Sequence, residues 1–183
     1  SFTSRSILVA LLMHTMERRG DDSWGVALRS DVDVGDNGIA IVKDVGPCTK
    51  LVDPCLIASC HQVVGHTRKA SAGAVSKANA HPFRVKHIVG VHNGSVNNYK
   101  ELNTAHKRSC DVDSEHIFHH LADDKDLDEL AVSGAAVWID TGRPDTVQLI
   151  RSFTGQLSIR GISVHGPSQP TATTGIVWAS TSI

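Results

Sequence analysis

The sequence predicts an α+β protein in which sheets and helices are sorted into layers. Strand-like runs cluster towards both ends of the chain, and most helical segments group between them. No strand–helix–strand alternation runs through the chain, so a wound parallel sheet is not expected. No linker, repeat or low-complexity tract divides it, and residues 1–183 read as one domain.

Each element follows from local chemistry. Ser4 or Ser6 offers a capping hydroxyl for a helix from about Ile7 to Arg18, closed by Gly20 after a basic last turn. WGVALRS and GIAIVKDV are β-rich runs joined by VGDNG, a hairpin turn. LVDPCLIASC reads as a short helix or turn, and QVVGHT and HIVGVHN as strands. SVNNYKEL gives a helical turn, SEHIFHHLADD a helix starting near Asp113 or Ser114, and DLDELAVSG a helix ended by Gly134. AAVWID, TVQLIRS, LSIRGIS and GIVWAST then return the chain to strands, with turns at GRPD and GPSQP.

Composition narrows the function. The chain has 183 residues, 40% apolar and 20% charged, with net charge −1. That length supports a substantial core, and the charge balance offers nothing to nucleic acid or an anionic membrane. Aromatics at 4% leave no platform for base stacking. ILVALLM is too short to span a bilayer, and the HTMERRG after it is no signal-peptide cleavage site. Four cysteines at 48, 55, 60 and 110 form no CxxC pair and read as reduced, mostly buried thiols in a cytosol-like compartment.

The polar stretch GHTRKASAGAVSKANAHPF lies between apolar runs, where unpaired polar groups are costly. Arg68 in it presents a planar fork suited to a carboxylate. Asp113, at a helix start, can accept from an ammonium group. Asn93 and Gly94 follow a strand, where a side-chain amide and a backbone N–H can converge on one oxygen, the composition of an oxyanion hole. Together these groups describe a site for an amino acid with a reactive carbonyl. His116 and His120 in HIFHH have the i,i+4 spacing of metal ligands, with Glu115 and His119 beside them. A half-exposed helix face accounts for them better, and neither metal nor cofactor is expected.

The ordered series RGDDSWGVA, GHTRKAS, NAHPF, VHNGSVNNYKEL and DVDSEHI, with GIVWAST near the end, resembles the class II glutamine amidotransferase domain, an N-terminal nucleophile hydrolase. The resemblance covers about residues 7–180. It implies a four-layer αββα sandwich of two mainly antiparallel sheets, and hydrolysis of glutamine to glutamate and ammonia. By resemblance Arg68 binds the substrate carboxylate, Asp113 the ammonium, and Ser71 helps position the ligand. Asn93 and Gly94 stabilise the oxyanion, while Arg19, Asp22, His66, Asn79 and His81 brace the loops. Lys69 stands where the family often has an aromatic, and Ala72 where some members have histidine.

The family's nucleophile is an N-terminal cysteine whose own amine is the general base. SFTSRS supplies none, and Cys48, Cys55, Cys60 and Cys110 have no free α-amine. Three readings stay open: an upstream cysteine outside the given sequence, a fold retained without catalysis, or Ser1 itself as nucleophile. The expected partners are glutamine and a separate acceptor or synthase subunit, since no acceptor domain is recognisable. The alternative is a silent structural or interaction module in a larger assembly such as a virus particle.

Overall fold

The computed structural model describes residues 4–30, 35–48, 57, 59–153, 155, 157–164 and 173–179. Helix α1 (Ser4–Glu17) leads into β1 (Ser23–Ser30), β2 (Ile39–Val45) and β3 (Cys60–Arg68). These form an antiparallel sheet with the order β2-β1-β3. The chain continues through β4 (Phe83–Val85), β5 (Ile88–Val96), α2 (Tyr99–Ala105), α3 (Glu115–Ala122), β6 (Val132–Asp140) and β7 (Val147–Arg151). Their strands make a second antiparallel sheet, β4-β5-β6-β7. Strands β8 (Ser158–Val164) and β9 (Thr173–Ala179) pair with each other, also antiparallel.

Side-chain alternation stacks these elements. On β1, Trp24, Val26 and Leu28 point to one face and meet Met13 of α1. Ala27 points to the other face, where with Ile39 and Val64 it meets Val89, Val91, Val137 and Ile139 of the second sheet. The far face of that second sheet is covered by Leu102 of α2 and by Ile117, Phe118 and Ala122 of α3. The order is helix, sheet, sheet, helices: a four-layer αββα sandwich. Glycine at position 90 lets Phe118 lie directly on β5, because a Cβ there would run into the ring.

Four local expectations change. Helix α1 is already under way at Ser4, earlier than the expected Ile7, and Gly20 follows its last turn, donating to the Glu17 carbonyl at 3.0 Å. DLDELAVSG contains only a three-residue 3-10 turn, Leu127–Glu129, after which the chain is already strand. Val132 to Asp140 pair residue for residue with Val96 to Ile88, a long-range ladder that overrides the local helical pattern. The PF of NAHPF continues into β4, a short edge strand on β5. In HIFHH, His116 and His120 are fully buried instead of half-exposed. Most of LVDPCLIASC and all of GPSQP lie outside the described residues.

Phe118 fills the space between α3 and the second sheet and is 0% exposed. Phe118→Ala should destabilise the domain by about 3–5 kcal/mol through lost transfer energy and the cavity left behind. Denaturant unfolding of the variant against the parent sequence reads this directly.

Candidate active site

One cavity of about 120 Å³ opens where the ends of β3 and β5 approach the loop between α2 and α3. Arg68, Ser71, Asn93, Gly94 and Asp113 all line it. These residues come from three separate segments, so their meeting is a product of the fold. Arg19, His66 and His81 also face the cavity, whereas Asp22 and Asn79 stand behind its wall.

Arg68 ends β3 and is 4% exposed. Its guanidinium donates to the Ala72 carbonyl and, at 3.4 Å, to the Ala74 carbonyl, so its own loop orients the fork. Burial lowers its pKa, and the carboxylates of Asp113 and Asp22 act against that shift. The loop is itself pinned from two sides. Asp22 accepts from the Ala70 amide at 2.8 Å and lies 3.2 Å from the Lys69 ammonium, while the Asn79 amide donates to the Ala74 carbonyl at 3.0 Å. The Ala70 bond and Lys69 hold the Asp22 carboxyl below its ordinary range. Lys69 also faces Asp21 at 3.2 Å, an exposed pair of little energetic weight.

Asp113, 5% exposed, accepts from the Val96 amide at 2.6 Å. Asn93 and Gly94 lie within β5 near the cavity mouth, earlier than the strand end that the sequence suggested. Gly94 has φ 154°, and a Cβ there would collide with the Ser133 carbonyl on the neighbouring strand. Its partner in register is Gly134, so two chains without side chains approach closely beside the cavity.

Three histidines meet here. His92 Nε2 lies 2.9 Å from the Ser133 carbonyl, which can only accept, so that nitrogen carries the proton. Nδ1 then accepts from the Ser114 hydroxyl at 2.9 Å. His66 and His81 stack with ring centroids 4.3 Å apart, and His81 meets Phe83 edge-on at 4.6 Å. Burial, with His92, Arg68 and Arg19 nearby, pushes His66 down to about 3. His81 falls well below its ordinary value for the same leading reason, burial. Among the described residues, His66 Nδ1 and both nitrogens of His81 find no hydrogen-bond partner. Buried polar atoms of this kind mark a place where water or a ligand belongs.

Two residues that matter here gave no sequence signal strong enough to find them. His92 sits inside VHNG but reads as an ordinary strand position, although its alternation with Asn93 places the two on opposite faces of β5. Lys43 reads as a solvent-facing strand residue. Its ammonium instead donates to the carbonyls of Ala78, Ala80 and Pro82 at 3.3, 2.7 and 3.0 Å, and so holds the NAHPF loop.

The neutral histidines set an acid limit on stability. Above about pH 6.5 neither folded nor unfolded state protonates them, so they cost nothing. Below it the unfolded chain takes up protons that His66 and His81 refuse in the fold. Stability should then fall with pH by roughly 1.4 kcal/mol per pH unit for each such histidine, down towards its folded pKa. Urea unfolding between about pH 4 and 7 should show this slope, reduced by one proton in His81→Asn.

The chain has recognisable relatives in sequence and in fold. Residues 9–141 match the family described as glutamine amidotransferases class-II. Glutamine–fructose-6-phosphate aminotransferase (isomerizing) of Bacillus thuringiensis subsp. konkukian is 39% identical over 93 residues, 48% of this chain and 14% of that protein. The enzyme of the same name from Streptococcus agalactiae serotype III is 31% identical over 142 residues, covering 71% of this chain and 22% of its own length. In fold, the chain is similar to glutamine phosphoribosylpyrophosphate amidotransferase from B. subtilis. That likeness has a TM-score of 0.62 at 17% identity, covering 94% of this chain and 39% of the other. The matched regions thus span between 14% and 22% of these two curated relatives. With more than half of its residues matched to the family, the chain belongs to the class II glutamine amidotransferases and has their N-terminal-nucleophile type of fold.

Proposed function

We propose that this domain binds glutamine and hydrolyses it to glutamate and ammonia, using the thiol of an N-terminal cysteine upstream of Ser1. The observation that carries the reading is the convergence of Arg68, Asp113, Asn93 and Gly94 on one cavity. Arg68 grips the substrate α-carboxylate, and Asp113 receives the α-ammonium. Ser71 borders the ligand, with Arg19, Asp22, His66, Asn79 and His81 supporting the walls. The thiolate attacks the side-chain amide carbon, and the oxyanion that forms is held by the Asn93 amide and the Gly94 N–H. Collapse breaks the C–N bond, and the leaving nitrogen takes a proton from the N-terminal ammonium to depart as ammonia. Water then cleaves the thioester, releasing glutamate and restoring the thiol.

As a single glutaminase-type domain over 1–183, it would hand ammonia to an acceptor or synthase unit in a reducing, cytosol-like compartment. The named relatives pair glutamine with another substrate in their own names, which supports an acceptor partner. No described helix is long and apolar enough to cross a membrane. A silent module in a virus particle gains no support from fold or relatives.

Glutamine binding can be tested independently of the nucleophile by calorimetry. Arg68→Ala should weaken glutamine binding by roughly 10- to 150-fold, the equivalent of a charge-assisted hydrogen bond of about 1.5–3 kcal/mol. Unchanged affinity would overturn the carboxylate grip. Mass spectrometry of the mature N-terminus, paired with an ammonia-release assay, tests the hydrolysis. Glutamine binding with an N-terminal cysteine but no ammonia release would overturn the catalytic part alone.

A further inference from the structure

Away from the cavity, the loop before α3 and the first turns of that helix gather three groups able to ligate a metal. Cys110 lies in the loop, Glu115 opens α3, and His119 follows one turn later at i,i+4, on the same helix face. The Cys110 sulfur, a Glu115 carboxylate oxygen and a His119 ring nitrogen all lie within 4.8 Å of one another. We infer that Cys110, Glu115 and His119 form a binding site for a divalent metal of the zinc class.

The donor set fits that chemistry. Thiolate, imidazole and carboxylate are the ligands zinc takes, with one tetrahedral position left to water. Bonds of about 2.0–2.3 Å place tetrahedral ligand atoms roughly 3.3–3.8 Å apart, a contraction that side-chain rotation alone can supply. The backbone under the sulfur is fixed. The Asn103 side chain donates to the Cys110 carbonyl and accepts from its amide, each at 3.0 Å. Cys110 is 7% exposed, so the soft ligand sits in the interior while Glu115 and His119 lie nearer the surface.

The three side chains have few partners as they stand, the backbone bond at Val112 being the main one acting on Glu115. Among the described residues, no salt bridge engages Glu115 and no side-chain hydrogen bond engages His119 or the Cys110 sulfur. Asp111 repels Glu115 more than Lys43 attracts it, and Lys43 is already spent on three carbonyls. Burial and Glu115 push the Cys110 thiol up to about 11, and burial raises Glu115 and lowers His119. A dication reverses the first two pressures and suits the neutral imidazole of the third. Arg108 and Lys86 act on His119 from the other side, so the net field is mixed and the ligands themselves must supply the affinity.

A second cluster makes the contrast. His106 Nε2 and His120 Nε2 both lie 3.1 Å from the same Glu129 oxygen, and Lys125 donates to His106 Nδ1 at 2.8 Å. Arg108 stands 3.2 Å from His120 Nδ1. Those polar atoms satisfy one another within the protein, and two cations border them. The Cys110 set has no such mutual bonds among its three ligand atoms, although Arg108 and Lys86 act on its histidine as well.

The location gives the ion a consequence. Cys110 and Glu115 bracket residues 111–114, and Val112, Asp113 and Ser114 of that segment line the cavity. An ion joining the two ends would fix the wall that carries Asp113.

Cobalt(II) titration of the full chain tests the site without reference to glutamine. One equivalent should bind with a thiolate-to-cobalt charge-transfer band that zinc removes, and zinc should raise the melting temperature. Cys110→Ser should lose the band, while Cys48→Ser keeps it. His119→Ala and Glu115→Gln should each weaken binding by at least about tenfold, and remain informative if Cys110→Ser fails to fold. His106→Ala should bind as the parent does. A titration without the band, a band that survives in Cys110→Ser, or loss of binding in His106→Ala but not His119→Ala would overturn the assignment.

Discussion

The bond from the Val96 amide to the Asp113 carboxylate is the constraint on which the site depends. Asp113 is almost fully buried, and a carboxylate there needs a donor whose position does not vary. Val96 ends β5, which is locked along nine residues to β6. The loop of the helical layer is thereby registered against the sheet. Across the cavity Arg68 feels Asp113 electrostatically, yet among the described residues the two do not close into a salt bridge. Each is tethered to backbone, Arg68 through Ala72 and Ala74, Asp113 through Val96. Opposite charges held apart in this way leave a gap complementary to a zwitterion.

The rest of the lining keeps that polarity simple. His66, His81 and His92 are all held below their ordinary pKa by burial, so they add dipoles and stacking surface without adding charge. Arg68 remains the buried cation facing the cavity, with no imidazolium neighbour beside it. The paired glycines at 94 and 134 serve the same end sterically. They bring the β5 backbone close to β6 beside the cavity.

Much of this was legible in the sequence, because turn residues and polar loops advertise themselves. VGDNG announced the β1–β2 hairpin, and the loop motifs around Arg68, Asn93 and Asp113 named residues that now share a cavity. The misreadings have a common cause, which is non-local pairing. DLDELAVSG carries an apolar spacing that a helix would accept, but its second half is claimed by β5 at more than 30 residues' separation in sequence, a contact that propensity cannot see. Lys43 and His92 were invisible for a similar reason. A lysine on an edge strand looks solvated until a loop from elsewhere presents three carbonyls to it. The interior positions of His116 and His120 likewise depend on how α3 meets Arg108, His106 and Glu129 from other segments.

The two halves of the pocket also belong to different halves of the sandwich. The Arg68 side, residues 68–74, is tied through Asp22 to the turn between α1 and β1, in the first sheet. The Asp113 side, residues 111–114, hangs from β5 and the helices over the second sheet. What sets the distance between them is the apolar layer in between, where Ala27 and Val64 meet Val89, Val91 and Val137. Packed interiors transmit volume changes because they hold few voids that could absorb them. The spacing of the two charge grips is therefore a property of the inter-sheet core, far from any residue that touches the ligand. On the proposed reading, the substrate length admitted would follow from small aliphatic side chains that a list of polar site residues would omit.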